Sequence, residues 1–119
     1  KKPYPVAYDQ ISKADYLGSE WIRKNEIDAL RAGFISPYSM ENGGEDIAEL
    51  QSYYITTTPQ KWEEKLNKAG KAGRTTIENK LEILRSYLKN SWNIDLDQLR
   101  DAVLRRTHQV PTLDLNHLN

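Results

Sequence analysis

The chain contains no cysteine, which removes disulfide scaffolds, thiolate metal sites and cysteine nucleophiles from consideration. The compartment stays open, because exported bacterial proteins also do without cysteine. An excess of one charge is missing too: 17 basic residues meet 17 acidic ones, so no net field draws the chain to nucleic acid or an anionic membrane. Arg105-Arg106 and the cations from Lys68 to Arg74 are separate clusters without interleaved aromatics, which again argues against nucleic acid. No apolar run approaches the roughly 20 residues that span a bilayer, and no signal peptide opens the sequence. No methionine initiates Lys1-Lys2-Pro3-Tyr4-Pro5, so the expectation is a processed or truncated piece of a longer protein. The two histidines, His108 and His117, have Pro111 between them, cannot share a helix face, and are not expected to form a metal site. A His-x3-His pair, a Ser-His-Asp set and a phosphate-binding glycine loop are all absent.

What is present is a chain of 119 residues, 38% hydrophobic, whose apolar positions are periodic enough for a core. Residues 1–43 read as irregular, with a Pro- and Tyr-rich extended segment holding at most one short turn up to residue 20, and one short helix after Asn25, closed by Gly33. Pro37 then restricts Ser36 to extended geometry in an apolar, ordered loop. Residues 44–110 read as helical. The spacing of Ile47, Leu50 and Tyr54 predicts a helix over about 44–55, and Thr58-Pro59 is a capping hydroxyl followed by proline at a first helical position. That helix carries Trp62, Leu66 and Ala69 and is expected to stop near Gly70 to Gly73. Thr75 or Thr76 then opens a helix whose stripe is Ile77, Leu81, Leu84 and Leu88. Asp95 is placed to cap a last helix bearing Leu96, Leu99, Val103 and Leu104, and residues 111–119 form a polar tail. Trp21, Trp62 and Trp92 are expected to be core anchors. Alternating apolar runs are missing, so the fold class is all-α: a bundle of about four to five helices with an irregular first third.

The chemistry-bearing stretch is Ile35 to Leu50. Glu45 and Glu49 stand four apart, on one face of the expected helix, and Tyr38 enters from the loop before it. A carboxylate pair at this spacing suits one metal ligand and one acceptor for a metal-bound histidine, and a nearby phenol suits a developing oxyanion. Spacing alone favours a plainer account, however. Acids at a helix N-terminus are stabilised by the macrodipole by about 0.3–1 kcal/mol each. Glu45 and Asp46 fit that without any function, Glu49 would be solvated, and Tyr38 would pack beside Pro37. Gly43-Gly44 is too short to cradle phosphate and reads as a tight start to the helix.

Taken together, Lys2-Pro3-Tyr4-Pro5, Gly33-Phe34-Ile35-Ser36-Pro37-Tyr38, Glu45-Asp46-Ile47-Ala48-Glu49 and Trp92-Asn93-Ile94-Asp95-Leu96, followed by Leu99-Arg100, carry a resemblance. They are similar to the zinc-binding metallopeptidase lipoproteins of gut-type Bacteroidetes, also described as substrate-import-associated zinc metallohydrolases. The likeness covers nearly the whole chain, as the C-terminal portion of that family. There a His-Glu-x-x-His helix shortly precedes the Lys-Pro-Tyr-Pro-like stretch, and this chain starts after it. Tyr38, Asn42, Glu45 and Glu49 also resemble the third-ligand helix of lethal-factor-type gluzincins. In those, a Tyr stands seven residues before the zinc-binding Glu, an Asn three before it, and a second Glu four after it.

The resemblance implies that this chain is the C-terminal part of a gluzincin-like metallopeptidase domain, either a subdomain or a domain by itself. It implies Glu45 as the third ligand to Zn2+, Glu49 as the carboxylate holding a ligand histidine, and Tyr38 as the oxyanion-stabilising phenol. Asn42 is left with capping alone. It further implies a peptide or protein substrate, a general base from the missing motif, and an exported, outer-membrane-anchored lipoprotein of a Gram-negative bacterium. With one ligand of three, residues 1–119 alone are expected to be inactive. The alternative is a non-catalytic helical interaction module associated with an outer-membrane nutrient-import system. The sequence immediately before Lys1 separates the two, since an intact His-Glu-x-x-His favours the enzyme.

Overall fold

Helices tend to begin where a short polar side chain satisfies the free N–H groups of the first turn. In the computed structural model, which describes residues 5–106, four of the six α-helices start this way. Helix α1 (Val6–Ile11) follows Pro5 without a side-chain cap. In α2 (Glu26–Arg31), Asn25 Oδ1 accepts the Asp28 N–H at 2.8 Å, and the Asp28 carboxylate accepts the Asn25 N–H in return. In α3 (Gly43–Thr56), Asn42 Oδ1 accepts the Glu45 N–H at 2.9 Å. In α4 (Pro59–Lys68), Thr58 Oγ1 accepts the Lys61 N–H at 3.3 Å, with Pro59 at the first helical position. Helix α5 (Gly70–Trp92) ends at Asn93, whose left-handed φ of 54° lets two N–H groups close on the Leu88 and Lys89 carbonyls. Asp95 then caps α6 (96–106) by accepting the Gln98 N–H at 3.0 Å.

No strand occurs among the described residues, and the architecture is an all-α bundle with an irregular first third. Lys2, Pro3 and Tyr4, residues 107–110, Pro111, the two histidines and the expected tail lie outside the described residues. Helix α5 is the axis of the core. Its Ile77, Leu81, Leu84 and Leu88 are buried against Leu50 and Tyr54 of α3, Trp62 and Leu66 of α4, and Leu96 of α6. Each such side chain contributes about 1.5–3 kcal/mol on leaving water. A second, smaller cluster of Ala29, Phe34 and Met40, with Tyr16, Leu17 and Trp21 packed on it, lies beside the loop joining α2 to α3. No helix among the described residues is long and apolar enough to cross a membrane.

Three expectations are corrected. The segment before residue 20 is not extended: it holds α1 and 3-10 turns at Lys13–Asp15 and Gly18–Arg23. Proline restricts its own position and the residue before it, so Pro5 leaves the chain after it free to coil, and fully buried Tyr8 ties that coil to the core. Helix α5 begins at Gly70, not at Thr75 or Thr76. Gly70, with φ +73°, is the break, whereas Gly73 lies inside the helix, where a Cβ would stand 2.2 Å from the Leu30 carbonyl oxygen. Gly73 therefore serves the close approach of α5 to α2. Trp92 is not a core anchor: it is 63% exposed, one turn beyond Leu88 on a helix about 35 Å long that outruns the core.

Candidate metal centre

The loop between α2 and α3 is pinned from several sides. Gly33 leaves α2 with φ +90°, and a Cβ there would meet the Thr76 side chain at 2.4 Å, so the chain passes tightly over α5. Phe34, Ile35 and Ser36 are buried, and Pro37 leads into a 3-10 turn over Tyr38–Met40 that turns Met40 inward. Two serines bind each other across this turn. The Ser36 N–H donates to Ser39 Oγ, the Ser39 N–H donates to Ser36 Oγ, and Ser39 Oγ donates to the Ser36 carbonyl at 2.6 Å. From outside, the N–H groups of Leu17 and Gly18 donate to the Met40 and Glu41 carbonyls at 2.8 and 3.0 Å. Trp21 lies edge-on to the Tyr38 ring, with centroids 5.1 Å apart.

This frame leaves Tyr38 36% exposed beside the first turn of α3. Its phenol is raised above its ordinary value, first by loss of hydration, then by the negative charge of the nearby Glu45 carboxylate and the charges of Glu41 and Glu49. The hydroxyl therefore keeps its proton at neutral pH and acts as a donor. Glu45 and Glu49 are both half-buried, one turn apart on α3, and Glu49 Oε1 accepts the Ser36 hydroxyl at 2.7 Å. The three residues singled out by their spacing thus lie together on one side of α3. Ser36 was missed. A serine before a proline in an apolar loop carries no distinctive pattern, and only its placement opposite Glu49 reveals it.

Asp46 faces the other way. It is 1% exposed and pairs with Lys80 Nζ at 2.8 Å, and it accepts the hydroxyls of Tyr8 and Tyr16 at 3.2 and 2.7 Å. Burial raises the Asp46 carboxyl, against the opposing pull of Lys80 and the tyrosines, while burial lowers the Lys80 ammonium against the pull of Asp46. Lys80 also donates to the Gly33 carbonyl at 2.8 Å and sits 3.9 Å from the Phe34 ring centroid, so it fastens the base of the Tyr38 loop. A separate groove of about 410 Å³ between α4, α5 and α6 holds Arg74, Arg85 and Arg100. All three are already engaged, by Glu63 and Glu78, by Glu82 and Asp97, and by the Tyr54 and Thr57 carbonyls.

Among the described residues, no three His, Cys, Asp or Glu side chains stand close enough to hold a metal ion. The carboxylates present nonetheless fit one flank of a zinc site. Carboxylate oxygen is a zinc donor, Glu45 is accessible, and Glu49 has one oxygen tied and one that accepts no hydrogen bond from the described residues. This chain belongs to the family described as "putative zinc-binding metallo-peptidase", whose sequence profile matches residues 1–97. Its fold is similar to the crystal structure of a putative zinc-binding metallo-peptidase from Bacteroides caccae, with a TM-score of 0.89 and 37% identity. The likeness covers 99% of this chain and 45% of that one, so this chain spans less than half of its relative. No curated protein matches the sequence.

Proposed function

We propose that this chain supplies one flank of the active site of a zinc-dependent metallopeptidase, as the C-terminal portion of a larger catalytic domain. Glu45 is the third zinc ligand, and Glu49 accepts the N–H of a ligand histidine and fixes its ring. Tyr38 donates to the oxygen that becomes negative when a peptide carbonyl is attacked. The observation that carries the reading is the Tyr38 phenol beside Glu45, one turn above Glu49 on the same side of α3. Bound zinc would supply a Lewis acid for the carbonyl and for the attacking water. The protein's own contribution is geometric: a protonated phenol held by Trp21 and the serine turn, over a carboxylate whose helix is locked by the core. Two histidines and a general-base glutamate come from a His-Glu-x-x-His helix outside this chain.

In a protein carrying that helix, Glu45→Ala abolishes zinc binding, measured by metal analysis after dialysis. Tyr38→Phe keeps zinc and slows turnover of a peptide substrate by about 10²–10³-fold. Equal zinc loss in both variants would remove Tyr38 from catalysis. Residues 1–119 alone hold no zinc in the submicromolar range and cleave no peptide, and activity from the pure chain would sink the proposal. An intact protein that binds no zinc would instead be a helical interaction module. Export, a lipid anchor at the outer membrane and nutrient-import neighbours rest on the family resemblance. Failure of cells to incorporate labelled palmitate into the intact protein would refute the anchor.

A further inference from the structure

Ser36 is a buried side chain for which the zinc-site reading gives no role. Its hydroxyl has one hydrogen, and its neighbours leave that hydrogen a single destination. Ser36 Oγ already accepts the Ser39 N–H at 3.2 Å. Ser39 Oγ accepts the Ser36 N–H at 3.2 Å and spends its own hydrogen on the Ser36 carbonyl at 2.6 Å. The Ser36 hydrogen therefore points at Glu49 Oε1, 2.7 Å away. One Glu49 oxygen is thereby tied to a buried turn, and Oε2 accepts nothing from the described residues.

We propose that Ser36 is a positioning residue, holding the Glu49 carboxylate so that Oε2 is presented to the N–H of a zinc-bound histidine. The proposal rests on the reading of Glu49 given above. A glutamate side chain has three rotatable bonds, and an outward-facing acceptor is worth little to a metal site until its direction is set. The Ser36 bond sets it from the buried side, where the reciprocal serine bonds keep the hydroxyl from turning away. Ser36 also stands two residues before Tyr38, so one short turn places both the phenol and the histidine-facing carboxylate in a common frame. Partners that orient metal-bound histidines typically cost about 10–100-fold in metal affinity when removed, and Ser36, one bond further out, belongs at the lower end.

The test uses the protein that carries the His-Glu-x-x-His segment, with zinc affinity measured by competition against a chromophoric chelator. Ser36→Ala weakens zinc about tenfold, and adds no further loss when Glu49 is already alanine, because the hydroxyl acts only through that carboxylate. A serine that merely braces the loop would lower Tm and leave zinc affinity unchanged, or would add its loss to that of Glu49→Ala. Either result overturns the proposal. Should Ser36→Ala not fold, Ser36→Thr and Ser36→Cys make the same comparison: threonine keeps the donor and binds zinc more tightly, whereas equal affinities refute the role. Glu45→Ala in the same series separates the two claims. Zinc retained without Glu45 refutes the zinc site itself; zinc lost without Glu45 but held normally by Ser36→Ala refutes Ser36 alone.

Discussion

Glu45 and Asp46 are consecutive residues on the first turn of one helix, and they have opposite surroundings. Asp46 is closed in, with Lys80, Tyr8 and Tyr16 all directed at its carboxylate. Glu45 is half-buried and meets the phenol of Tyr38. Successive helical positions are rotated by about 100°, so one step along α3 moves an acid from the core to the open flank. A charge removed from water is tolerable only when its acceptor sites are filled, which is why three partners converge on Asp46. A metal ligand needs the reverse, an oxygen left free. The same residue chemistry thus holds the fold on one side of the helix and remains available on the other.

The sharpest way to break this contrast is Asp46→Ala. It leaves Lys80 charged, buried and without its counter-ion, and is expected to cost about 3–5 kcal/mol in urea unfolding. A loss below 1 kcal/mol would mean that the pair is not what holds α3 to α5. Tyr16→Phe removes the 2.7 Å bond to that carboxylate and should cost about 1.5–3 kcal/mol by the same measurement. A third acid, Asp97 on α6, is more exposed than either and yet is paired. Its side chain is 52% exposed, and a hydrogen bond from Arg85, followed by one from Tyr54, holds its carboxyl below the usual value of 3.8. A depressed folded value means stability present above the unfolded value and lost as pH falls through the folded one. Asp97→Asn should therefore flatten the acid limb of a Tm-versus-pH curve, by less than about 1 kcal/mol because water screens the pair. Smallest of all, Glu45→Ala should change stability by no more than about 0.5 kcal/mol even as it removes zinc from the intact protein. A large loss would make Glu45 a structural residue.

Much of this was legible in the sequence because it is local. Asn25, Asn42, Thr58 and Asp95 each cap the helix expected of them, and the stripe of Ile77, Leu81, Leu84 and Leu88 faces the core. The spacing that joins Tyr38 to Glu45 and Glu49 is also local, since it spans one loop and one helical turn. What stayed hidden depends on residues distant in the chain. Asp46 has the pattern of an ordinary acid at a helix start, and nothing near it reports that Lys80, Tyr8 and Tyr16 will converge there. Lys80 did leave a trace: it lies three residues after Ile77 and four before Leu84, on the apolar face, where an exposed lysine does not belong. Gly73 reads as a helix stop because its real reason, the Leu30 carbonyl, sits on another element.

The effect of that glycine extends beyond α2 and α5 to the loop that follows α2. The spacing between α2 and α5 is set by a side chain that is not there. A methyl group at position 73 would overlap the Leu30 carbonyl and push the two helices apart by about 1 Å or more. Lys80 rides on α5 two turns further along and donates to the Gly33 carbonyl at 2.8 Å, so a shift of α5 bears directly on that bond. Position 73 is thus a lever: one added methylene where α5 crosses α2 would be felt at the base of the turn that leads into Tyr38.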